Sequence, residues 1–306
     1  MAVGAARVYP AAPRNRTVDA GTEALISAGG HFLAAEVGMG TMHKIAASIF
    51  AAWFLCATPA FAEELAIPSE YQGQPIQITA RFDKPAGVGP FPVVILLHTC
   101  GGAYAANSLP TWAQLLQSQG YAILRPDSFT ARGVSDVCAD NRVTARDRAL
   151  DVFATAYLLA GRPDVRSDRI AVVGMSHGGG AAVYVTRDHE ELRPWRERLG
   201  QRRGKLVASV SLYGSCGNPN GYPVIIPLLA LSAGNDDWTP AAPCVALANA
   251  QQNGIMQIQV YPEAYHAFDA PIDKPFYKLG HRLAYDAAAT ADARIRATEF
   301  LRRYLQ

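Results

Sequence analysis

The sequence predicts an α/β fold in which a mostly parallel central sheet carries helices on both faces. Two observations lead there. From residue 74 onwards, short aliphatic runs of strand length alternate with stretches of helical spacing, the pattern of βαβ units. The runs are also continuous rather than alternating, as in FPVVILLH at 91–98, which fits strands covered on both faces. Half of the 306 residues are hydrophobic, enough for one substantial core. The 28 basic residues are nearly matched by 26 acidic ones, so no large electrostatic footprint is left for nucleic acid.

Residues 1–41 are rich in Ala and Gly without a sustained period, and are expected to be an upstream segment outside the fold. Met39 and Met42 offer alternative starts of translation. Residues 42–62 have the organisation of a secretory signal. Lys44 supplies the positive start, Ile45 to Cys56 the apolar stretch, and Ala60-Phe61-Ala62 a small-residue cleavage pattern. The apolar run falls short of the roughly 20 residues that span a bilayer. It ends at Pro59 and the acidic pair Glu63-Glu64, so no stable membrane insertion is expected after cleavage. Cys56 follows the bulky Leu55, which speaks against a lipoprotein signal. The remainder, 63–306, is expected to be a single domain, periplasmic or secreted.

Within it, Pro75 to Phe82 reads as an early strand, punctuated by Asp83-Lys84-Pro85-Ala86-Gly87. Phe91 to His98 is the next strand, bounded by Pro90 and Gly101-Gly102. A helix from about Thr111 to Gln119 and a strand at 121–126 follow. Asn141 to Leu159 repeats Ala149, Phe153, Ala156 and Tyr157 at helical spacing, until Gly161-Arg162-Pro163 stops it. Arg169 to Met175 is a short buried strand leading into a helix near His177. The charged stretch Arg187 to Lys205 reads as a solvated helix or excursion, with a lid as the alternative. Leu206 to Tyr213, Val224 to Ser232 and Gln257 to Tyr261 read as further strands, with a helix at about Ala242 to Gln252. A terminal helix covers Tyr285 to Leu305.

Four cysteines remain after the signal: Cys100, Cys138, Cys216 and Cys244. An even number in an exported chain permits disulfides, in any of three pairings. Cys216 with Cys244 and Cys100 with Cys138 is favoured, because each pair would tie neighbouring loops at one edge of the sheet; free buried cysteines are the alternative. No close C-x-x-C or H-x-x-x-H pair suggests a metal site or a redox motif.

The sharpest chemical signal is RIAVVGMSHGGG at 169–180, in which a buried strand feeds a G-x-S-x-G pentapeptide. Such a turn leaves no room for side chains at 174 and 178, and pushes Ser176 Oγ out above the sheet at a helix N-terminus. The plain alternative is a glycine-rich turn whose serine caps the helix. A serine nucleophile needs a base, and the base an orienting acid, each in a loop after a later strand. Those loops are GNDDWTP at 234–240 and PEAYHAF at 262–268. His266 is the expected base, since His98, His177, His189 and His281 fail on position. Asp236 is favoured as acid, with Asp237 the neighbouring alternative. The oxyanion donors are expected to be the backbone N–H groups of His177 and Cys100, with Thr99 next to the latter. Phe129, Arg132, Trp238 and Tyr265 are candidate substrate-pocket residues, although structural duties serve them equally well.

The stretches VVILLHTCGG at 93–102, RPDSFTARG at 125–133, IAVVGMSHGG at 170–179, LSAGNDDWTPAAPC at 231–244 and YPEAYHAFD at 261–269 resemble the dienelactone hydrolase family of the α/β-hydrolases, over roughly residues 68–305. The resemblance implies an α/β-hydrolase fold and hydrolysis of small esters or lactones, with no metal or organic cofactor. It assigns Ser176 as nucleophile, Asp236 as acid, because Pro240 then falls four places later, and His266 as base. Two departures stand out: Ser176 occupies the elbow position where the family's founding type has cysteine, and His98-Thr99 replaces the more usual His-Gly. A peptidase or acyltransferase using the same triad, or a non-catalytic binding protein on this fold, are the competing expectations.

Overall fold

The aliphatic runs assemble into one sheet. The computed structural model describes residues 62–103, 108–251 and 254–306; the upstream segment 1–41 and the signal stretch up to residue 61 lie outside these. In chain order the strands are β1 (Ala62–Tyr71), β2 (Gln74–Asp83), β3 (Phe91–Leu97), β4 (Ala122–Asp127), β5 (Val165–Met175), β6 (Leu206–Leu212), β7 (Leu228–Ala233) and β8 (Met256–Tyr261). They lie side by side as β1-β2-β4-β3-β5-β6-β7-β8. β1 pairs antiparallel with β2, and β2 with β4; from β4 to β8 every pair is parallel.

Both faces are covered, which is why the strands read as unbroken aliphatic runs. Val94 and Leu96 of β3 and Ala171 and Val173 of β5 join one core with α1 (Leu109–Ser118) and the terminal helix, through Trp112, Leu116, Ala297 and Phe300. Their neighbours Val93, Ile95, Ile170 and Val172 point the other way, into a second core. That core is closed by α2 (Ala145–Leu159), α3 (His177–Tyr184) and α4 (Arg193–Gln201). The last two helices are α5 (Ala242–Ala250) and α6 (Ala287–Leu305). The predicted mostly parallel sheet with helices on both faces is therefore what forms.

Several boundaries move for local reasons. β1 was not expected; it is an edge strand with most positions at least partly exposed, so it lacks an aliphatic run. α2 starts at Ala145, not Asn141, because Thr144 caps it: the Thr144 side chain accepts the Asp147 N–H while the Asp147 carboxylate accepts the Thr144 N–H. β7 starts at Leu228, not Val224, since Pro227 has no N–H for a ladder and Val224 makes only an isolated bridge to Arg187. The charged stretch 187–205 holds a 3₁₀ turn at Glu190–Leu192 followed by α4, and it buries Leu192 and Leu199 in the core on the α2 side. A small hairpin, β9 (Phe276–Lys278) and β10 (His281–Leu283), escaped the sequence reading because each strand is only three residues long.

Cys100 is bonded to Cys138 and Cys216 to Cys244, with Cα separations of 4.8 and 5.0 Å, the favoured pairing of the three. Two disulfides point to an oxidising, non-cytoplasmic environment. Among the described residues, no helix is long and apolar enough to cross a membrane.

Candidate active site

The register of the parallel strands gathers the chemistry at one end of the sheet. Leu97 at the end of β3 lies opposite Gly174 of β5, and Gly174 in turn opposite Ser211 of β6. Between β5 and α3 the chain turns sharply at Ser176, whose φ of 53° and ψ of −117° lie in a region non-glycine residues rarely adopt. Two glycines permit the turn. A Cβ on Gly174 would run into the Gly178 carbonyl, and one on Gly178 into the carbonyl oxygens of Leu97 and His98. The Ser176 N–H donates to the Leu212 carbonyl at 2.9 Å and fixes the elbow to β6.

Acid and base arrive from neighbouring strand ends. Ala233 of β7 pairs with Tyr261 of β8, and the loops beyond them are stitched by Gly234 N–H to Tyr261 O at 2.8 Å and Asn235 N–H to Ala264 O at 2.9 Å. Asp236 follows in one loop and His266 in the other. Ser176 Oγ lies 2.9 Å from His266 Nε2, and His266 Nδ1 lies 2.8 Å from Asp236 Oδ2. A carboxylate only accepts, so the imidazole proton sits on Nδ1 and leaves Nε2 free to accept from the serine. Asp237, by contrast, is exposed and contacts His281 Nδ1 at 3.2 Å. The three side chains form a Ser-His-Asp catalytic triad, the constellation of a serine hydrolase.

The acid is held tightly. Asp236 Oδ1 accepts the N–H groups of Trp238 and Thr239, each at 2.9 Å, and the Thr239 hydroxyl stands 2.8 Å from Oδ2. Burial pushes the Asp236 carboxyl up, but the hydrogen bonds from His266 and Thr239 outweigh it and hold it below the ordinary aspartate value. The imidazole is flanked by Tyr213, edge-on at 5.1 Å, and by the Trp238 ring at 5.0 Å. Tyr213 is anchored from behind by its hydroxyl, which donates to Asp269 at 2.7 Å. Thr239 and Tyr213 were missed in the sequence; the three-residue spacing Asp236-x-x-Thr239, a local turn signature, was the available clue to the first.

Cys100 and His177 both line a cavity of 560 Å³ that reaches Ser176. The Cys100 sulfur is committed to Cys138, so it is no free thiol. The His177 ring points elsewhere. Its Nε2 donates to Asn141 Oδ1 at 2.7 Å, and its Nδ1 accepts from the buried Arg148 guanidinium at 3.0 Å. Burial, aided by the Arg148 charge, pushes its pKa down to about 3, and the ring is neutral. Burial likewise lowers Arg148, to about 9. No local pattern announced Arg148, which reaches His177 only because α2 packs on α3.

Of the candidate pocket residues, Trp238 lines the cavity beside Ser176, and the other three do not. Arg132 faces inward, its guanidinium bonded to both carboxylate oxygens of Asp151 at 2.9 Å with both side chains fully buried. Phe129 is buried against His98, ring centroids 4.6 Å apart. Tyr265 lies under Arg282, whose guanidinium sits 4.3 Å over the ring. Among the described residues no group of three or more His, Cys, Asp or Glu is placed to hold a metal ion.

Residues 78–305 match the dienelactone hydrolase family. This chain belongs to that family. A Yersinia pestis protein provisionally named carboxymethylenebutenolidase is 29% identical over 227 residues, covering 68% of this chain and 78% of that protein. Among solved structures, a provisionally named dienelactone hydrolase from Klebsiella pneumoniae subsp. pneumoniae superposes with a TM-score of 0.59 at 22% identity, covering 81% of this chain and 100% of the other. The dienelactone hydrolase of Anabaena variabilis gives 0.53 at 22% identity, covering 80% and 99%. At these identities the structural likeness speaks for the fold alone. Family membership and the triad together support a serine-hydrolase mechanism on small esters or lactones in general.

Proposed function

We propose that the protein is an exported serine esterase that cleaves small esters or lactones through an acyl-enzyme. The observation that carries this reading is the unbroken hydrogen-bonded chain Ser176–His266–Asp236 with its serine opening into a cavity. Ser176 Oγ attacks the ester carbonyl as its proton passes to His266 Nε2, and Asp236 stabilises the imidazolium. The oxyanion is held by the N–H groups of Cys100 and His177. The second opens α3, where the helix dipole favours negative charge. Collapse expels the alcohol, which takes the proton from His266. Water then attacks the acyl-serine, yields its proton to His266, and releases the carboxylic acid as Ser176 regains its hydrogen.

Residues 42–62 serve as the export signal and 63–306 as a single mature domain, delivered to the periplasm or outside the cell. The disulfides support that destination. Mass spectrometry of the exported protein should find an N-terminus near residue 63; one upstream of residue 42 would defeat the reading of 42–62 as a cleaved signal that begins at the start of translation.

The decisive experiment for the chemistry is Ser176→Ala. It should abolish fluorophosphonate labelling and nearly all turnover of p-nitrophenyl acetate. Retained labelling or near-full turnover in the purified variant rejects the assignment.

A further inference from the structure

We propose that the site is built for two-ended esters, with a planar aromatic group on one flank of Ser176 and an aliphatic group on the other, rather than for compact lactones. This rests on the esterase reading above. Ser176 lines not one cavity but two, of 560 and 460 Å³, whose walls share Cys100, Cys138, Ser176 and Trp238. The Cys100–Cys138 disulfide and the Trp238 indole therefore stand where the two chambers meet, beside the nucleophile. An ester carbonyl at Ser176 Oγ has a chamber available for its acyl part and another for its alcohol part. Each chamber alone lies within the roughly 300–1,000 Å³ of a drug-sized ligand site, whereas a cavity of about 150 Å³ already accommodates benzene. A single small lactone ring leaves most of this space to water.

The two chambers differ in chemistry. The larger is walled by Tyr184, His189, Tyr222 and Trp238. His189 stacks on Tyr184 with ring centroids 3.7 Å apart and planes within 5°, and Tyr222 leans on His189 at 4.5 Å. Flat aromatic walls favour a flat aromatic guest, through offset or edge-to-face contact. This wall is braced before any ligand arrives. Arg187 donates from Nε to Tyr222 O at 2.7 Å, from Nη1 to Cys216 O at 3.2 Å and from Nη2 to Asn218 O at 2.9 Å. The Cys216–Cys244 disulfide ties the same loop to α5. A loop braced in this way keeps the chamber open instead of folding down onto a small substrate.

The smaller chamber adds five aliphatic residues, Ala267, Ala270, Pro271, Ile272 and Leu283, to the Tyr213 ring that flanks His266 and to Phe276 of the β9–β10 hairpin. Its charged members do not make it an ion site: Asp273 and Lys274 are exposed, and Lys278 is paired with Asp136 at 3.0 Å. Saturated carbon fits such walls by burial of apolar area alone.

The test compares kcat/KM by pH-stat for butyl 3-phenylpropanoate, its mirror ester 3-phenylpropyl butanoate, butyl butanoate, methyl 3-phenylpropanoate, 3-phenylpropyl acetate, ethyl acetate and γ-butyrolactone. At least one of the two aromatic–aliphatic esters should exceed both ethyl acetate and γ-butyrolactone by a hundredfold or more. Tyr222→Ala should lower the preference for that ester over butyl butanoate at least tenfold. Ile272→Trp, which fills the smaller chamber, should lower by a similar factor the preference for butyl over methyl 3-phenylpropanoate or, where the mirror ester is the better substrate, for 3-phenylpropyl butanoate over 3-phenylpropyl acetate. Ratios within one variant do not depend on how much of it is folded. Equal rates for γ-butyrolactone and the two-ended esters, or ratios unmoved in both variants while ester hydrolysis persists, overturn the proposal and leave the esterase reading standing. Absence of all ester hydrolysis with Ser176 unlabelled overturns both.

Discussion

His266 Nδ1 and Asp236 Oδ2 lie 2.8 Å apart, with both side chains almost fully buried. The pair fixes the imidazole tautomer, and that sets up the first prediction. Asp236→Asn keeps the size of the side chain but offers an amide N–H towards Nδ1. The imidazole proton then moves to Nε2, which can no longer accept from Ser176. By analogy with the serine-protease triad, kcat should fall by about 10⁴-fold. Asp237→Asn removes only an exposed contact to His281, and exposed ion pairs are worth about 0–1 kcal/mol, so its kcat should stay within about fivefold. Steady-state kinetics on p-nitrophenyl acetate check both. Comparable losses in the two variants would refute the choice of acid.

His177 supplies a pH prediction. Its folded pKa, about 3, lies far below the ordinary histidine value of about 6.5. Between the two values the unfolded chain binds a proton that the folded one does not, so stability is present above about pH 6.5 and is lost as pH falls towards the folded value. Removing this titration with His177→Gln should make the stability profile flatter on the acid side. Going from pH 7 to pH 5, the wild type should lose about 2 kcal/mol more than the variant. Urea unfolding at the two pH values measures the difference, and parallel losses would mean that the ring titrates normally.

The Cys100–Cys138 bond closes a 38-residue separation and holds the loop that carries a proposed oxyanion donor. Val137 N–H also donates to Cys100 O at 2.9 Å, so the two loops meet in backbone as well as in sulfur. Replacing both cysteines by alanine should cost about 2–4 kcal/mol of stability. It should also lower kcat, by less than the roughly 10²–10³-fold seen when a donor is deleted outright, because the donor is loosened and not removed. Urea unfolding and kcat on p-nitrophenyl acetate read the two effects separately. An unchanged kcat would show that the disulfide serves stability alone.

What the sequence made legible, and what it did not, follows from how far each interaction reaches along the chain. The parallel strands could be read because both of their faces are buried, and so could the elbow, because Gly174 and Gly178 are local steric demands. Asp236 and His266 were legible through chain order after a strand. Edge strand β1 was not, since a half-exposed strand carries no aliphatic run. Arg132 looked like a pocket residue because its loop follows a strand end, yet nothing local reveals that its guanidinium turns back to Asp151, nineteen residues on. The second chamber was equally hidden, built as it is from the short β9–β10 hairpin and the residues before it.

The three glycines 178–180 look alike in the sequence and differ sharply in space, which yields the last prediction. A Cβ on Gly178 would come within 2.6 Å of the Leu97 carbonyl oxygen, a backbone atom at the end of β3 that cannot step aside without moving the sheet. At Gly180 the nearest atom to an added Cβ is the Ser215 carbonyl oxygen at 3.7 Å, ordinary van der Waals contact. Both residues sit in α3, where alanine is favoured over glycine by about 1 kcal/mol. Gly180→Ala should therefore be neutral or stabilising by up to about 1 kcal/mol. Gly178→Ala should be destabilised by about 1–3 kcal/mol or more, as for overpacking at a site that cannot relax. It should also displace Ser176 and lose turnover, since the elbow closes on Gly178. Thermal unfolding of the two variants side by side decides the matter: equal melting temperatures would mean that the close approach of α3 to β3 is not what demands glycine in the elbow.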